Sequence, residues 1–72
     1  MSWKILKESE AIEINGTVYE LGDRMAAITR DGDYYCGKVT EIGEDTICIT
    51  DRTDTKIYLS RNRIVDTAYI PF

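Results

Sequence analysis

Asn15-Gly16 lies between two alternating segments, Ala11-Ile12-Glu13-Ile14 and Thr17-Val18-Tyr19-Glu20, and no other feature constrains the chain as strongly. A type I′ turn needs φ > 0 at both central residues, and Asn-Gly is the pair that adopts it with least strain. A two-residue loop also fixes register, placing Ile14 opposite Thr17 and Ile12 opposite Tyr19. With a period of two, Ile12, Ile14, Tyr19 and Leu21 then share an apolar face, while Glu13, Val18 and Glu20 face solvent. A hairpin built this way has something to cover.

Period two continues along the chain, and no helical period competes with it. Arg24 to Arg30 reads as a strand. Asp31-Gly32 reads as a second two-residue turn, which would set Arg30 opposite Asp33 and Ile28 opposite Tyr35. Tyr34 to Ile42 is a longer strand with Gly37 inside it, where a missing side chain marks a bend or close approach. Alternation breaks between Val39 and Ile42, which predicts a bulge near Thr40-Glu41. Thr46–Thr50 and Lys56–Ser60 alternate cleanly, with Ile47, Ile49, Ile57 and Leu59 inward and Tyr58 outward. The polar stretch from Ser60 to Arg63 is suited to one short 3₁₀ turn, and Ile64 to Ile70 closes as a β-branched strand. The expected core is Ile28, Val39, Ile42, Ile47, Ile49, Ile57 and Leu59, with Tyr19 and Tyr35 beside it.

The fold expected is all-β: a single domain over residues 1–72, with an N-terminal strand and hairpin at 1–21 and a small five-stranded barrel at 22–70. A short, strongly bent meander curls because closure wraps one apolar face onto itself and removes exposed edges. Trp3, within Trp3-Lys4-Ile5-Leu6-Lys7, is expected to pack the N-terminal strand over that barrel.

The stretches Leu21-Gly22-Asp23-Arg24-Met25 and Tyr34 to Ile42 resemble SH3-like small barrels, with a Gly-Asp entry, an apolar strand, a turn and then Gly-x-Val. Lys56 to Ile64 is similar to their fourth strand and the 3₁₀ turn before the fifth. Tudor, KOW, PRC-barrel and Sm-like proteins share parts of this pattern, so the resemblance is to a superfold and implies a fold rather than a function. Two departures stand out. The first connection is only Asp31-Gly32 where peptide-binding SH3 domains carry a long acidic loop, and the sole Trp, Trp3, lies outside the barrel.

The chemistry available is narrow. The 72 residues contain no histidine, the commonest general acid/base and metal ligand. Cys36 and Cys48 are too few and too far apart for a structural zinc site. They are expected to be two free, partly buried thiols, because Met1-Ser2-Trp3-Lys4 runs into charge and not into a signal peptide's apolar stretch. The glycines are scattered and form no phosphate cradle. Asp31/Asp33 and Glu44/Asp45 flank turns, where acids solvate the tips. No catalytic residue, cofactor or metal is expected, no run is long enough to span a membrane, and the compartment expected is the cytoplasm.

Nine basic against thirteen acidic residues give a net charge of −4, which disfavours nucleic acid as a partner. The first fifty residues carry five basic and ten acidic side chains, whereas residues 51–72 carry four and three. Tyrosine and arginine are the types that dominate interface energetics. Of the five tyrosines, Tyr34, Tyr58 and Tyr69 are the ones expected to be exposed. The expected function is therefore a small non-catalytic protein-interaction module, an accessory, adaptor or inhibitor subunit that binds another protein through Tyr34, Tyr58, Arg61 and Arg63. Two alternatives stand beside it: a nucleic-acid-binding barrel using the Arg61/Arg63 end, and a structural domain that assembles through its edge strands.

Overall fold

The computed structural model describes residues 2–71, and the chain is all-β over that range. The strands are β1 (Trp3–Leu6), β2 (Ala11–Ile14), β3 (Thr17–Glu20), β4 (Arg24–Thr29), β5 (Tyr34–Ile42), β6 (Thr46–Thr50), β7 (Lys56–Ser60) and β8 (Ile64–Ile70). They form two antiparallel sheets. One has the order β1-β2-β3, the other β7-β6-β5-β4-β8.

At the first turn Asn15 and Gly16 have φ of 51° and 88°, and β2 pairs with β3 through Ile14–Thr17 and Ile12–Tyr19. The N-terminal unit is more than a hairpin, because β1 adds to β2 in the register Trp3–Ile14 to Leu6–Ala11. The connection between them contains a 3₁₀ turn, Lys7–Ser9, whose three residues all have positive φ. Left-handed backbone costs a non-glycine residue roughly 1–2 kcal/mol, and here the flanking strand pairs and a Glu10 N–H to Lys7 carbonyl bond of 3.1 Å hold it. The exposed Lys7–Glu20 ion pair across the sheet (3.0 Å) adds little.

The five-stranded sheet differs from the closed barrel expected. β7 and β8 are its two edges and do not pair, so the sheet stays open. The apolar face that closure would have wrapped is covered instead by Ile12, Ile14 and Tyr19 of the smaller sheet. These three pack with Met25, Ala27, Val39, Ile47, Ile49, Leu59 and Ile64 into one buried cluster, with Trp3, Tyr35, Ile42 and Ile57 partly buried against it. Tyr19 is fully buried, and its hydroxyl donates to Thr67 Oγ1 of β8 at 2.9 Å, joining the two sheets.

The second turn corrects a register. Thr29 N–H donates to the Asp33 carbonyl (2.9 Å), and Asp33 N–H donates to Thr29 Oγ1 (3.2 Å), so the loop is the three residues Arg30-Asp31-Gly32. Gly32 takes the left-handed position at φ 86°, as a type I turn with a following bulge requires. Ile28 therefore faces Tyr34, not Tyr35. Met25, Ala27 and Thr29 point inward, and Ile28, expected in the core, is 40% exposed on the outer face. Thr29 decides the outcome: it is buried, and turning inward lets its hydroxyl serve the loop backbone. Leu21 is also exposed, since β3 ends at Glu20 and the chain turns at Gly22 (φ 97°).

Two bulges bend the larger sheet. Pairing of β5 with β6 shifts between Val39 and Glu41, leaving Thr40 as the extra residue, and pairing of β4 with β8 shifts so that Val65 is extra. Gly37 is required where β5 passes the end of β6, because a Cβ there would lie 2.7 Å from the Thr50 carbonyl oxygen. The 3₁₀ turn expected at residues 60–63 is a simple hydrogen-bonded turn, with Arg63 N–H donating to the Ser60 carbonyl at 3.0 Å.

The inward and outward assignments predict contrasting stabilities. Ile49→Ala removes a fully buried side chain and should cost about 2–5 kcal/mol, whereas Ile28→Ala on the outer face should cost less than about 1 kcal/mol. Urea denaturation of both variants reads this directly, and similar midpoint shifts for the two would place Ile28 in the core after all.

Candidate interaction surface

With the inner face of the larger sheet covered, its outer face carries the side chains available to other molecules. Cross-strand register arranges them in rows. Asp66, Ile28 and Tyr34 make one row on β8, β4 and β5, and Ala68, Ala26 and Cys36 make the next. Ile70, Arg24, Lys38, Thr50 and Lys56 make a third that crosses all five strands. Because Tyr34 and Lys38 are four residues apart on one strand, the first and third rows are separated by about 13 Å.

The four residues singled out from the sequence fall into separate surroundings. Tyr34 is 64% exposed and stands beside Ile28. Arg63 reaches Asp31, three residues ahead of Tyr34, with Nη2 3.3 Å from Oδ2. Arg61 is exposed on the turn after β7, its N–H donating to the Asp45 carbonyl at 2.7 Å. That turn thus ties the β5–β6 loop to the β4–β5 loop, where Arg30 Nε also donates to the Asn62 carbonyl and Arg30 N–H to the Arg63 carbonyl. Tyr58 is 56% exposed on β7, opposite Cys48, and its hydroxyl donates to Glu41 Oε2 at 3.1 Å. That bond to a carboxylate, with the negative charge beside it, holds the Tyr58 phenol above its ordinary pKa. Tyr34 and Tyr58 do not converge, since Glu41 lies seven residues along β5 from Tyr34, about 23 Å of strand.

A feature absent from the sequence reading lies at the far end of the outer face. A groove of about 660 Å³ runs between the third row and the loop that follows β6, and its walls include Arg24, Lys38, Thr50, Asp51, Arg52 and Asp54. The loop is internally built. Asp51 Oδ1 accepts from Thr53 Oγ1 (2.7 Å), Thr53 N–H (2.9 Å) and Thr55 N–H (3.0 Å), and Asp54 N–H donates to the Asp51 carbonyl at 3.1 Å. The Thr53 hydroxyl, then the backbone N–H groups of Thr55 and Thr53, pull the Asp51 carboxyl below the usual range. Asp51 is thus committed to shaping the loop that presents Arg52. No local motif announces the groove, because its cations are about fourteen residues apart in sequence and only register assembles them. The one legible trace is Asp51-Arg52-Thr53, an Asx-turn pattern.

Among the described residues no three His, Cys, Asp or Glu side chains are grouped as metal ligands, and no helix is long and apolar enough to cross a membrane. No protein-family model matches the chain, and no curated protein or solved structure matches it either.

Both cysteines are unpaired, but unlike each other: Cys36 is exposed on the outer face, and Cys48 is fully buried on β6. A thiol reagent should therefore label one thiol rapidly in the native protein and the second only on unfolding. Rapid labelling of both, or of neither, contradicts the placement of these two strands.

Proposed function

We propose that the chain is a small non-catalytic protein-interaction module with the strand arrangement of an SH3-like barrel. The strand order supports the fold part of this reading. β4 to β7 follow one another as a meander and β8 returns to lie beside β4, which is how five strands are joined in such barrels, here left open and capped by a separate sheet.

The observation that carries the functional part is the pair Ile28 and Tyr34. They are directly opposed on adjacent strands, both exposed, and the same outer face also bears Ala68 and Cys36. A β-branched aliphatic beside an aromatic residue ordinarily marks a face that packs against something. Arg63 and Asp31 border the patch as a polar rim, the usual surround of an interface centre. Tyr58 and Arg61 serve as anchors only for a partner that extends past the end of the sheet. Nucleic acid is the weaker reading, because Arg63 is already paired with an acid and the chain is acidic overall.

The test is capture from an extract of the source cells on immobilised wild-type protein, on the Ile28→Ser/Tyr34→Ser variant and on a Glu13→Ala control. A partner retained by the wild type and the control should be lost from the double variant. With that partner purified, Tyr34→Ala alone should weaken binding by about 2 kcal/mol, roughly thirtyfold in Kd. Equal retention on all three columns removes the patch as the interface.

A further inference from the structure

We propose that the free edge of β7 is a homotypic interface, at which a second copy of this chain adds its own β7, antiparallel, about a two-fold axis through Tyr58. The inference goes beyond the interaction-module reading, because it uses a different surface and stands without the Ile28/Tyr34 patch.

Backbone hydrogen bonding identifies the edge. The β6–β7 ladder is flanked by Arg61 N–H on the Asp45 carbonyl (2.7 Å) and Asp51 N–H on the Thr55 carbonyl (3.1 Å). Both pairs are in register with Ile47–Leu59 and Ile49–Ile57. Bonded and non-bonded pairs alternate in an antiparallel ladder, so Lys56, Tyr58 and Ser60 direct their N–H and C=O groups away from β6. The Ser60 carbonyl accepts from Arg63 N–H at 3.0 Å. The other outward groups have no partner among the described residues, and no strand but β6 runs beside β7.

The other edges are shorter or guarded. On β8, Thr67 N–H donates to Asp66 Oδ1 at 2.9 Å, and a bulge at Val65 interrupts the strand. On β3, Glu20 N–H donates to Asp23 Oδ2 (2.8 Å) and the Glu20 carbonyl accepts from Asp23 N–H (2.9 Å). β1 offers only Trp3 and Ile5 before the left-handed turn at Lys7–Ser9. A lysine often blunts an edge strand, but Lys56 is paired with Glu41, two strands in from the edge, at 3.8 Å.

A row of directed N–H and C=O groups selects an extended backbone as the occupant. The side chains of β7 select β7 itself. Pairing about Lys56 would set two lysines opposite each other. Pairing about Tyr58 sets Lys56 opposite Ser60, Ile57 opposite Leu59 and Tyr58 opposite its own copy. Just past the strand ends it sets Arg61 opposite Thr55 and Asn62 opposite Asp54, so no like charges meet. Each Tyr58 N–H then donates to the Tyr58 carbonyl of the second copy, and each Ser60 N–H to the Lys56 carbonyl. On the outer face two exposed tyrosines form a cross-strand aromatic pair. On the inner face Ile57, partly buried, and Leu59, buried, continue the apolar surface across the join. Two short strands bury less than the roughly 1,200–2,000 Å² of a stable interface, so the association is weak and set by concentration.

The experiment is sedimentation equilibrium of the full chain from about 10 μM to about 1 mM, the range in which weak association is read. Reductant is present throughout, so that the exposed Cys36 thiol cannot link two copies. The wild-type mass should rise from monomer towards dimer, with hydrogen exchange at the Tyr58 and Ser60 amides slowing in step. Tyr58→Lys and Tyr58→Glu each set like charges opposite each other, and each should weaken association by about fivefold or more. Tyr58 is exposed, so both variants should keep the dispersed wild-type spectrum. An equimolar mixture of the two should recover association, because lysine then opposes glutamate across the axis. The Ile28→Ser/Tyr34→Ser variant should associate as the wild type does. A wild type that stays monomeric throughout overturns the interface, as does a mixture no more associated than either variant alone. Loss of association from the Ile28→Ser/Tyr34→Ser variant would move the contact to the apolar patch and overturn it equally.

Discussion

Burial of one sheet face by a second sheet is the interaction on which the rest of this structure depends. A chain of 72 residues has little interior to spend on stability, and nearly all of it lies between the two sheets. Ile12, Ile14 and Tyr19 from the N-terminal sheet close over Met25, Val39, Ile47, Ile49 and Leu59 of the larger one. Each fully buried aliphatic side chain contributes about 1.5–3 kcal/mol. Neither sheet has another surface on which to bury that face. The Tyr19–Thr67 hydrogen bond makes the union specific, because a buried phenol left without an acceptor would cost about 1–3 kcal/mol. Covering the inner face in this way also leaves β7 and β8 unpaired and the outer face free for contacts with other molecules.

The sequence was most legible where one local rule acted alone. Asn15-Gly16 set a turn and a register because two left-handed residues in succession admit few alternatives. The β6 and β7 alternation set inward faces because Ile47, Ile49, Ile57 and Leu59 outweigh Cys48 and Tyr58, the apolar side chains of the opposite face. The break after Val39 marked a bulge that is present. Legibility failed where two rules competed. In β4, Met25 and Ala27 on one face oppose Ala26 and Ile28 on the other, and apolarity favoured the wrong set. The decision lay with Thr29 and a three-residue loop, a tertiary and hydrogen-bonding matter. The left-handed turn at Lys7–Ser9 contains no glycine and left no trace at all. Closure does not occur because the N-terminal hairpin belongs to a β1–β3 sheet that serves as the lid, which period-two alternation alone does not distinguish from an addition to a barrel.

The candidate sites follow the same division. Tyr34 was visible in the sequence as a tyrosine beside a turn, but its neighbour Ile28 became visible as a surface residue only with the corrected register. The groove was invisible, since Arg24, Lys38 and Arg52 are brought together by strand pairing and by a loop that Asp51 organises from within. The outer face is thus asymmetric, apolar and aromatic near the β4–β5 turn and cationic near the β6–β7 loop.

The dependence of each sheet on the other can be read from a single equilibrium unfolding experiment, because the only tryptophan, Trp3, is in the smaller sheet and partly buried against the shared core. Trp3 fluorescence reports the lid, and far-ultraviolet circular dichroism is dominated by the larger sheet. If mutual burial holds both, the two signals trace one transition with the same midpoint and slope. A Trp3 transition that is complete while the dichroism remains native would show the larger sheet standing without its lid, and would contradict this account.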